Sequence, residues 1–214
     1  DARIVADYYS SFMDEAGIEA KGAAPPKPVL AKIDAIKDKP ALVRALGASL
    51  RADVDPLNAT DFFTENLFGL WVAQGLNEPK RNTPYLLQGG LGMPDRAYYL
   101  TDSPRMAELR TKYQQHIAAM LKLAGYADAE ARAARVFALE TAIAQSHASR
   151  EDSANVQKAN NNWTMKDFAA KAPGMDWAAF FKAAGLSGQA KFIVWHPTAM
   201  KGAAGLVAST DIGT

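Results

Sequence analysis

Three histidines, His116, His147 and His196, are the only imidazoles in this 214-residue chain, and there is no cysteine. They bound the metal and nucleophile chemistry available to it. A zinc peptidase of the H-E-x-x-H kind needs imidazoles at i and i+4, which share one helix face while the glutamate activates water. No two of these histidines have that spacing, and no glutamate is followed four residues on by an aspartate. The chain therefore offers no H-E-x-x-H metal site. Without cysteine there is also no thiolate catalysis, no thiolate-bound metal and no disulfide. A serine triad can be written from Ser146 or Ser149 with His147 and Asp152. Helix neighbours do not face one another, however, and no G-x-S-x-G elbow is present.

Glu140 is the most chemical single residue. It falls between Val136, Ile143 and His147 at helical spacing, so its carboxylate is expected to point inward, where it needs a partner. No second acid or nucleophile accompanies it, and a structural tie to Arg96, Arg150 or a backbone donor is the expectation. His147, on the same inner stripe, reads as a hydrogen-bonded core histidine rather than a ligand. No catalytic or metal-binding residue is assigned to the chain.

These groups are positioned around the stretch from Pro84 to Leu100, where Gly89, Gly90 and Gly92 and two prolines separate an apolar run from the pair Tyr98-Tyr99. Glycine allows positive φ and close approach, and Pro94 fixes φ. A glycine cluster can also cradle phosphate, but there is no G-x-x-x-x-G-K-[ST] and no third glycine to complete G-x-G-x-x-G. A shaped corner is expected.

Upstream, residues 3–16 read as a helix with Ile4, Tyr8, Phe12 and Ala16 on one face and Val5 and Tyr9 beside it, broken by Gly17 and Gly22. Val29, Ile33 and Ile36 mark a short helix ending near Lys37. Leu42, Val43, Leu46 and Leu50 mark another after Pro40, with Arg44, Arg51 and Asp53 as its solvated face. The texture changes at Asp55-Pro56. Residues 67–72 and 85–87 then read as a β-hairpin, or at least as two extended segments.

Downstream, Ser103 and Pro104 start a helix carrying Met106, Leu109, Tyr113, Ile117, Met120, Leu121 and Ala124, with Gly125 after its end. Asp128 is expected to cap a second helix, with Val136, Leu139, Ile143 and His147 inward and Phe137 and Ala144 beside them. The short link makes the two an antiparallel pair. Residues 155–165 are amide-rich and read as a loop. Thr164 and Asp176 cap two short helices, the second with Trp177, Phe180 and Phe181, and Phe192 to Trp195 reads as a third strand. Gly202 to Thr214 gives no end signal. The aromatic stripes Tyr8-Phe12 and Trp177-Phe180-Phe181 read as core. The fold class is mainly α: antiparallel helix pairs with a small hairpin or extended segments around residues 67–90.

The composition, 49% hydrophobic and 22% charged with net charge +1, is that of a globular chain without a nucleic-acid or acidic-membrane bias. A chain this long buries roughly 70% of its unfolded surface. No apolar run nears the roughly 20 residues a membrane helix needs. The chain opens on Asp1 with neither signal peptide nor initiator methionine, read as processing or an upstream boundary.

The string Gln88-Gly89-Gly90-Leu91-Gly92-Met93-Pro94-Asp95-Arg96-Ala97-Tyr98-Tyr99-Leu100 is similar to the QGGLGLPDRDYYL segment of neprilysin-type zinc endopeptidases. Other landmarks fall in that family's order: Ala6 to Asp14, then Ala20-Lys21-Gly22, Val136 to Ala144, Trp163-Thr164-Met165, and Pro173 to Trp177. The likeness runs nearly end to end. It implies the N-terminal, mostly helical portion of a zinc metalloendopeptidase, closing over the active-site cavity and admitting small peptides. Zinc, its ligands, the general base and the oxyanion donors would lie beyond Thr214, and the arginine-bearing subsite segment before Asp1. The partners implied are that missing catalytic portion and the parent's peptide substrates, with no nucleic acid and no membrane segment. Met13 stands where animal members of the family carry a cysteine, which points to a bacterial form, periplasmic or secreted. The other reading is a stand-alone helical binding module without enzymatic activity. An exposed apolar surface favours the part of a larger protein; a dry monomer favours the module.

Overall fold

The computed structural model describes residues 2–50 and 64–213. Arg51, Asp53 and the change of texture at Asp55-Pro56 lie outside the described residues. The order is α1 (Ala2–Phe12), α2 (Glu15–Lys21), α3 (Lys27–Asp34) and α4 (Lys39–Ser49), then β1 (Phe68–Gln74) and β2 (Asn82–Gln88). There follow α5 (Arg96–Leu100), α6 (Pro104–Leu123), α7 (Ala129–Ser146), α8 (Arg150–Ser153) and α9 (Val156–Ala159). The chain continues with β3 (Asn161–Trp163), α10 (Met165–Lys171), α11 (Trp177–Ala183), β4 (Phe192–Val194) and α12 (Pro197–Ser209). Mainly helical architecture around a small sheet is what the residues lead one to expect.

The sheet runs β1-β2-β4-β3. The hairpin is antiparallel, with Phe68 opposite Gln88 and Gln74 opposite Asn82. β4 lies parallel to β2, pairing Tyr85 with Ile193 and Leu86 with Val194, and β3 is antiparallel to β4. Alternation assigns the two faces. Leu86, Phe192 and Val194 enter one cluster with Phe68, while Tyr85, Leu87, Ile193 and Trp195 enter another on the opposite side. The first is the larger core, roofed by α4, α10, α11 and α12. There Phe168, Trp177, Phe180 and Phe181 are all buried, and Phe181 stacks on Phe192 at 4.2 Å between ring centroids. The second aromatic stripe is core, as expected.

The α6–α7 pair is antiparallel. Lys122 bonds Glu130 across the link, and farther along Tyr113 bonds Glu140, so one helix climbs as the other descends. Ser103 caps α6 by accepting from the Met106 amide at 3.3 Å, and Gly125 follows its end at φ 86°. Thr164 and Asp167 form a capping box on α10, and Asp176 caps α11 through the Ala179 amide.

Several expectations change. The helix expected over 3–16 is two helices, because Asp14 accepts from the Gly17 amide and caps a new start, placing Gly17 inside α2. Tyr8 and Phe12 are not core: α1 has no buried residue. Helical periodicity defines an apolar face but not what covers it. Met120, expected inward, is 52% exposed, since α6 is covered on one side by α7 and open beyond it. Asp128 precedes α7 but makes no side-chain cap; it sits in the left-handed region at φ 53°. Residues 155–165 are not one loop, for Asn155 caps α9 and Asn161 to Trp163 pair with β4. The last segment is a helix, α12, whose small residues allow close packing: a Cβ on Gly202 would lie 2.2 Å from that of Ser146.

Candidate functional site

Glu140, His147 and Arg96 converge where the glycine corner passes between β2, α6 and α7. Gly90 takes φ 82°, a conformation that side chains other than glycine's disfavour. Gly89 and Gly92 are there for room. A Cβ on Gly89 would stand 2.2 Å from the Asn66 carbonyl oxygen, and one on Gly92 would stand 1.9 Å from the Tyr113 hydroxyl. Backbone conformation at Gly90 and packing at Gly89 and Gly92 thus account for all three glycines. Asp95 then caps α5 by accepting from the Ala97 amide at 2.7 Å, and Arg110 closes its other end through the Tyr98, Tyr99 and Thr101 carbonyls. Nothing local in the sequence marks Arg110 for that task.

Glu140 points inward from α7, as its spacing requires, but its partners are tyrosines and not Arg96 or Arg150. Tyr99 donates to Oε2 at 2.7 Å, and Tyr113 reaches both oxygens at 2.9 and 3.1 Å. The Tyr99 oxygen also accepts from the Met93 amide at 3.0 Å. Arg96 instead meets the Ala144 carbonyl at 3.4 Å, and Arg150 lies 3.6 Å from Asp95. Burial raises both phenol pKa values, Tyr113 to about 12, and the Glu140 charge adds to the rise. The phenols therefore stay protonated and donate. Two phenols thus donate to the carboxylate and engage both of its oxygens. It ties the corner to the helix pair.

His147 ends α7 and donates from Nε2 to the Gly89 carbonyl at 3.1 Å. Burial, with the nearby Arg96 charge, lowers its pKa to about 4, so it is a neutral core histidine. His116 lies on the exposed side of α6. The serine triad does not assemble. Ser146 donates to the Ile143 carbonyl, Ser149 caps α8, and Asp152 pairs with Lys158.

A different serine–histidine pair appears, one that sequence spacing did not reveal. His196 Nε2 lies 2.9 Å from Ser153 Oγ, across 43 residues of chain. Its Nδ1 accepts from the Gln88 amide at 3.1 Å, which places the proton on Nε2, and Ser153 donates onward to the Ser149 carbonyl at 2.8 Å. The hydrogen bond thus runs from histidine to serine, opposite to what an activated nucleophile needs. Burial lowers the His196 pKa to about 3, with the neighbouring His147 as the second cause. The pair fastens β2 to α8 and the start of α12.

None of these groups fits a metal. Both His196 nitrogens and His147 Nε2 are engaged with protein partners, and among the described residues no three histidine, aspartate or glutamate side chains are placed to share an ion. Beside Glu140 opens an apolar cleft of about 410 Å³, lined by Ile33, Leu42, Leu46, Leu139, Leu206 and others.

Solved structures similar to this chain include zinc metalloproteases. The chain matches the Mycobacterium tuberculosis zinc metalloprotease ZMP1 in its open state with a TM-score of 0.81 and 27% identity, over 97% of this chain and 31% of that one. ZMP1 in complex with an inhibitor gives 0.81 and 26%, over 97% of this chain and 30% of that chain. PepO from Lactobacillus rhamnosis HN001 shares the fold at 0.61 and 15%, over 88% of this chain and 31% of that one. The chain thus spans under a third of the length of each of these three. The sequence profile of the N-terminal region of peptidase family M13 matches residues 1–214. With that match from end to end, the chain belongs to peptidase family M13.

Proposed function

We propose that this chain is the non-catalytic N-terminal part of a zinc metalloendopeptidase, and that it closes over the active-site cavity and restricts entry to small peptides. The observation that carries the reading is the family match over residues 1–214, in a chain spanning 31% of the length of a zinc metalloprotease of the same fold. Metal-assisted hydrolysis needs a cation to polarise the carbonyl and activate water. Among the described residues no ligand set for one is present, and the reading assigns zinc and the hydrolytic groups to the rest of the parent protein.

What the chain itself contributes is a scaffold whose elements are tied together by buried polar groups. Its buried polar groups are spent on ties between elements: Glu140 to Tyr99 and Tyr113, His147 to Gly89, and His196 to Gln88 and Ser153. Such a scaffold suits a cover whose shape limits access. Its partners are the catalytic remainder and the peptides the parent hydrolyses, and its place is the periplasm or outside the cell. The exposed apolar face of α1 favours this reading over a stand-alone module, which has no use for it.

The test is zinc content and peptide hydrolysis of the parent protein carrying His116→Gln or Glu140→Gln. Zinc should stay stoichiometric and hydrolysis of a short peptide should continue in both. Loss of zinc from either variant with its fold intact overturns the non-catalytic assignment.

A further inference from the structure

We propose that the apolar cleft between α3, α4, α7 and α12 binds a small cationic amphiphile, a primary amine on an unbranched apolar chain. The tail lies between the leucines of the cleft and the ammonium beside Glu140. This goes beyond the peptidase reading and does not depend on it.

The cleft holds about 410 Å³, within the size range of small-molecule sites. Its walls come from separate elements: Leu42 and Leu46 from α4, Leu139 from α7 and Leu206 from α12. All four are only partly buried, so each turns some apolar surface to the opening. A concave apolar wall with a few polar groups is the usual make-up of a ligand site. Each methylene of a tail that leaves water there tightens binding by roughly fourfold.

Charge selects the head group. The charged residues lining the cleft are Lys39 on one side of the balance and Glu65, Glu140 and Asp211 on the other. Lys39 is already engaged, with its Nζ donating to the Thr210 carbonyl. Glu65 and Asp211 are exposed at the mouth, whereas Glu140 is half-buried. The donors to Glu140 are the hydroxyls of Tyr99 and Tyr113, which are neutral, and among the described residues no cation pairs with it. A carboxylate accepts about four hydrogen bonds on its two oxygens, so two phenols leave it room for a further donor. A charged donor makes the stronger bond there. An ammonium carried in by an apolar tail meets that need. A fatty carboxylate would meet three acids, with only the engaged Lys39 to receive it.

The test is calorimetric titration of the full-length parent protein with n-octylammonium, n-octanol and n-octanoate, each at concentrations where it is monomeric. Octylammonium should bind on the order of tenfold more tightly than octanol, and octanoate most weakly. Glu140→Gln should bring octylammonium down to the affinity of octanol and leave octanol unchanged, a split that a merely structural role would not produce. Leu206→Trp, which fills the cleft, should abolish binding of both. Shortening the probe to n-hexylammonium should weaken binding roughly 16-fold, a readout that needs no variant. No binding by the parent, as a cleft filled by the rest of the polypeptide would give, overturns the proposal. So do equal affinities for the three probes, tightest binding of octanoate, or octylammonium binding that neither substitution alters.

Discussion

The Tyr99 hydroxyl donates to Glu140 Oε2 at 2.7 Å while accepting from the Met93 amide at 3.0 Å. One oxygen atom thereby joins the glycine corner to the long helix pair. Replacing Tyr99 by Phe orphans the amide of the buried Met93 and strips one donor from the carboxylate. A loss of about 1–3 kcal/mol is expected in urea unfolding at unchanged m-value. Tyr113→Phe should cost less, because Tyr99 still holds Glu140 and no amide is orphaned. Equal losses for the two would show that the relay through Tyr99 has no special weight.

The glycine corner separates space from conformation. Gly89→Ala brings a Cβ to 2.2 Å from a backbone oxygen, which cannot step aside as a side-chain end can. It should cost about 1–3 kcal/mol. Gly188 has nothing within 4 Å of an added Cβ, and Gly188→Ala should stay within about 0.5 kcal/mol of the parent. Thermal midpoints of the two variants check this directly.

The buried histidines make the fold acid-sensitive. Their pKa values are lowered from 6.5 to about 4 for His147 and about 3 for His196. Between those values and 6.5 the unfolded chain binds more protons than the folded one, so stability falls as pH falls through that window. Each histidine can contribute a loss on the order of 3 kcal/mol. His147→Gln can keep the donor to Gly89 and removes one titrating group. Its stability should therefore vary less steeply below pH 6, by up to about 1.4 kcal/mol per pH unit. Parallel pH profiles for the two proteins would contradict the buried-neutral assignment.

The capping box on α10 places Phe168 in the core. Thr164→Ala removes the hydroxyl that accepts from the Asp167 amide, at an expected cost of about 0.5–2 kcal/mol. Thr164→Ser should restore most of it. A Ser variant no better than Ala would mean that packing, and not the cap, holds this helix.

What the sequence made legible was local. Ser103 and Pro104 at one end and Gly125 at the other delimit α6 because capping chemistry lies within a turn of the helix it serves. The Gly89–Gly92 corner announced itself for the same reason. Long-range pairing was not legible: β4 joins β2 across about 108 residues, as the Gln88–His196 bond shows. The periodicity of Phe192 to Val194 cannot say which strand it meets. Likewise Glu140 was expected inward, but its tyrosines come from 27 and 41 residues away, beyond any helical spacing. Amide-rich Asn161 and Asn162 hid β3, whose polar residues pair at a sheet edge. The α1 stripe was read correctly as apolar and wrongly as buried, since the pattern carries no information on what lies against it.

The proposed function has the chain governing access to a zinc site held elsewhere in the parent. It is tested most directly by assaying the full-length zinc-loaded protein against a short peptide and against the same sequence displayed in a loop of a folded protein. The account expects rapid cleavage of the free peptide and little or none of the folded display. Comparable rates on both, or no peptide hydrolysis with zinc bound, would contradict it.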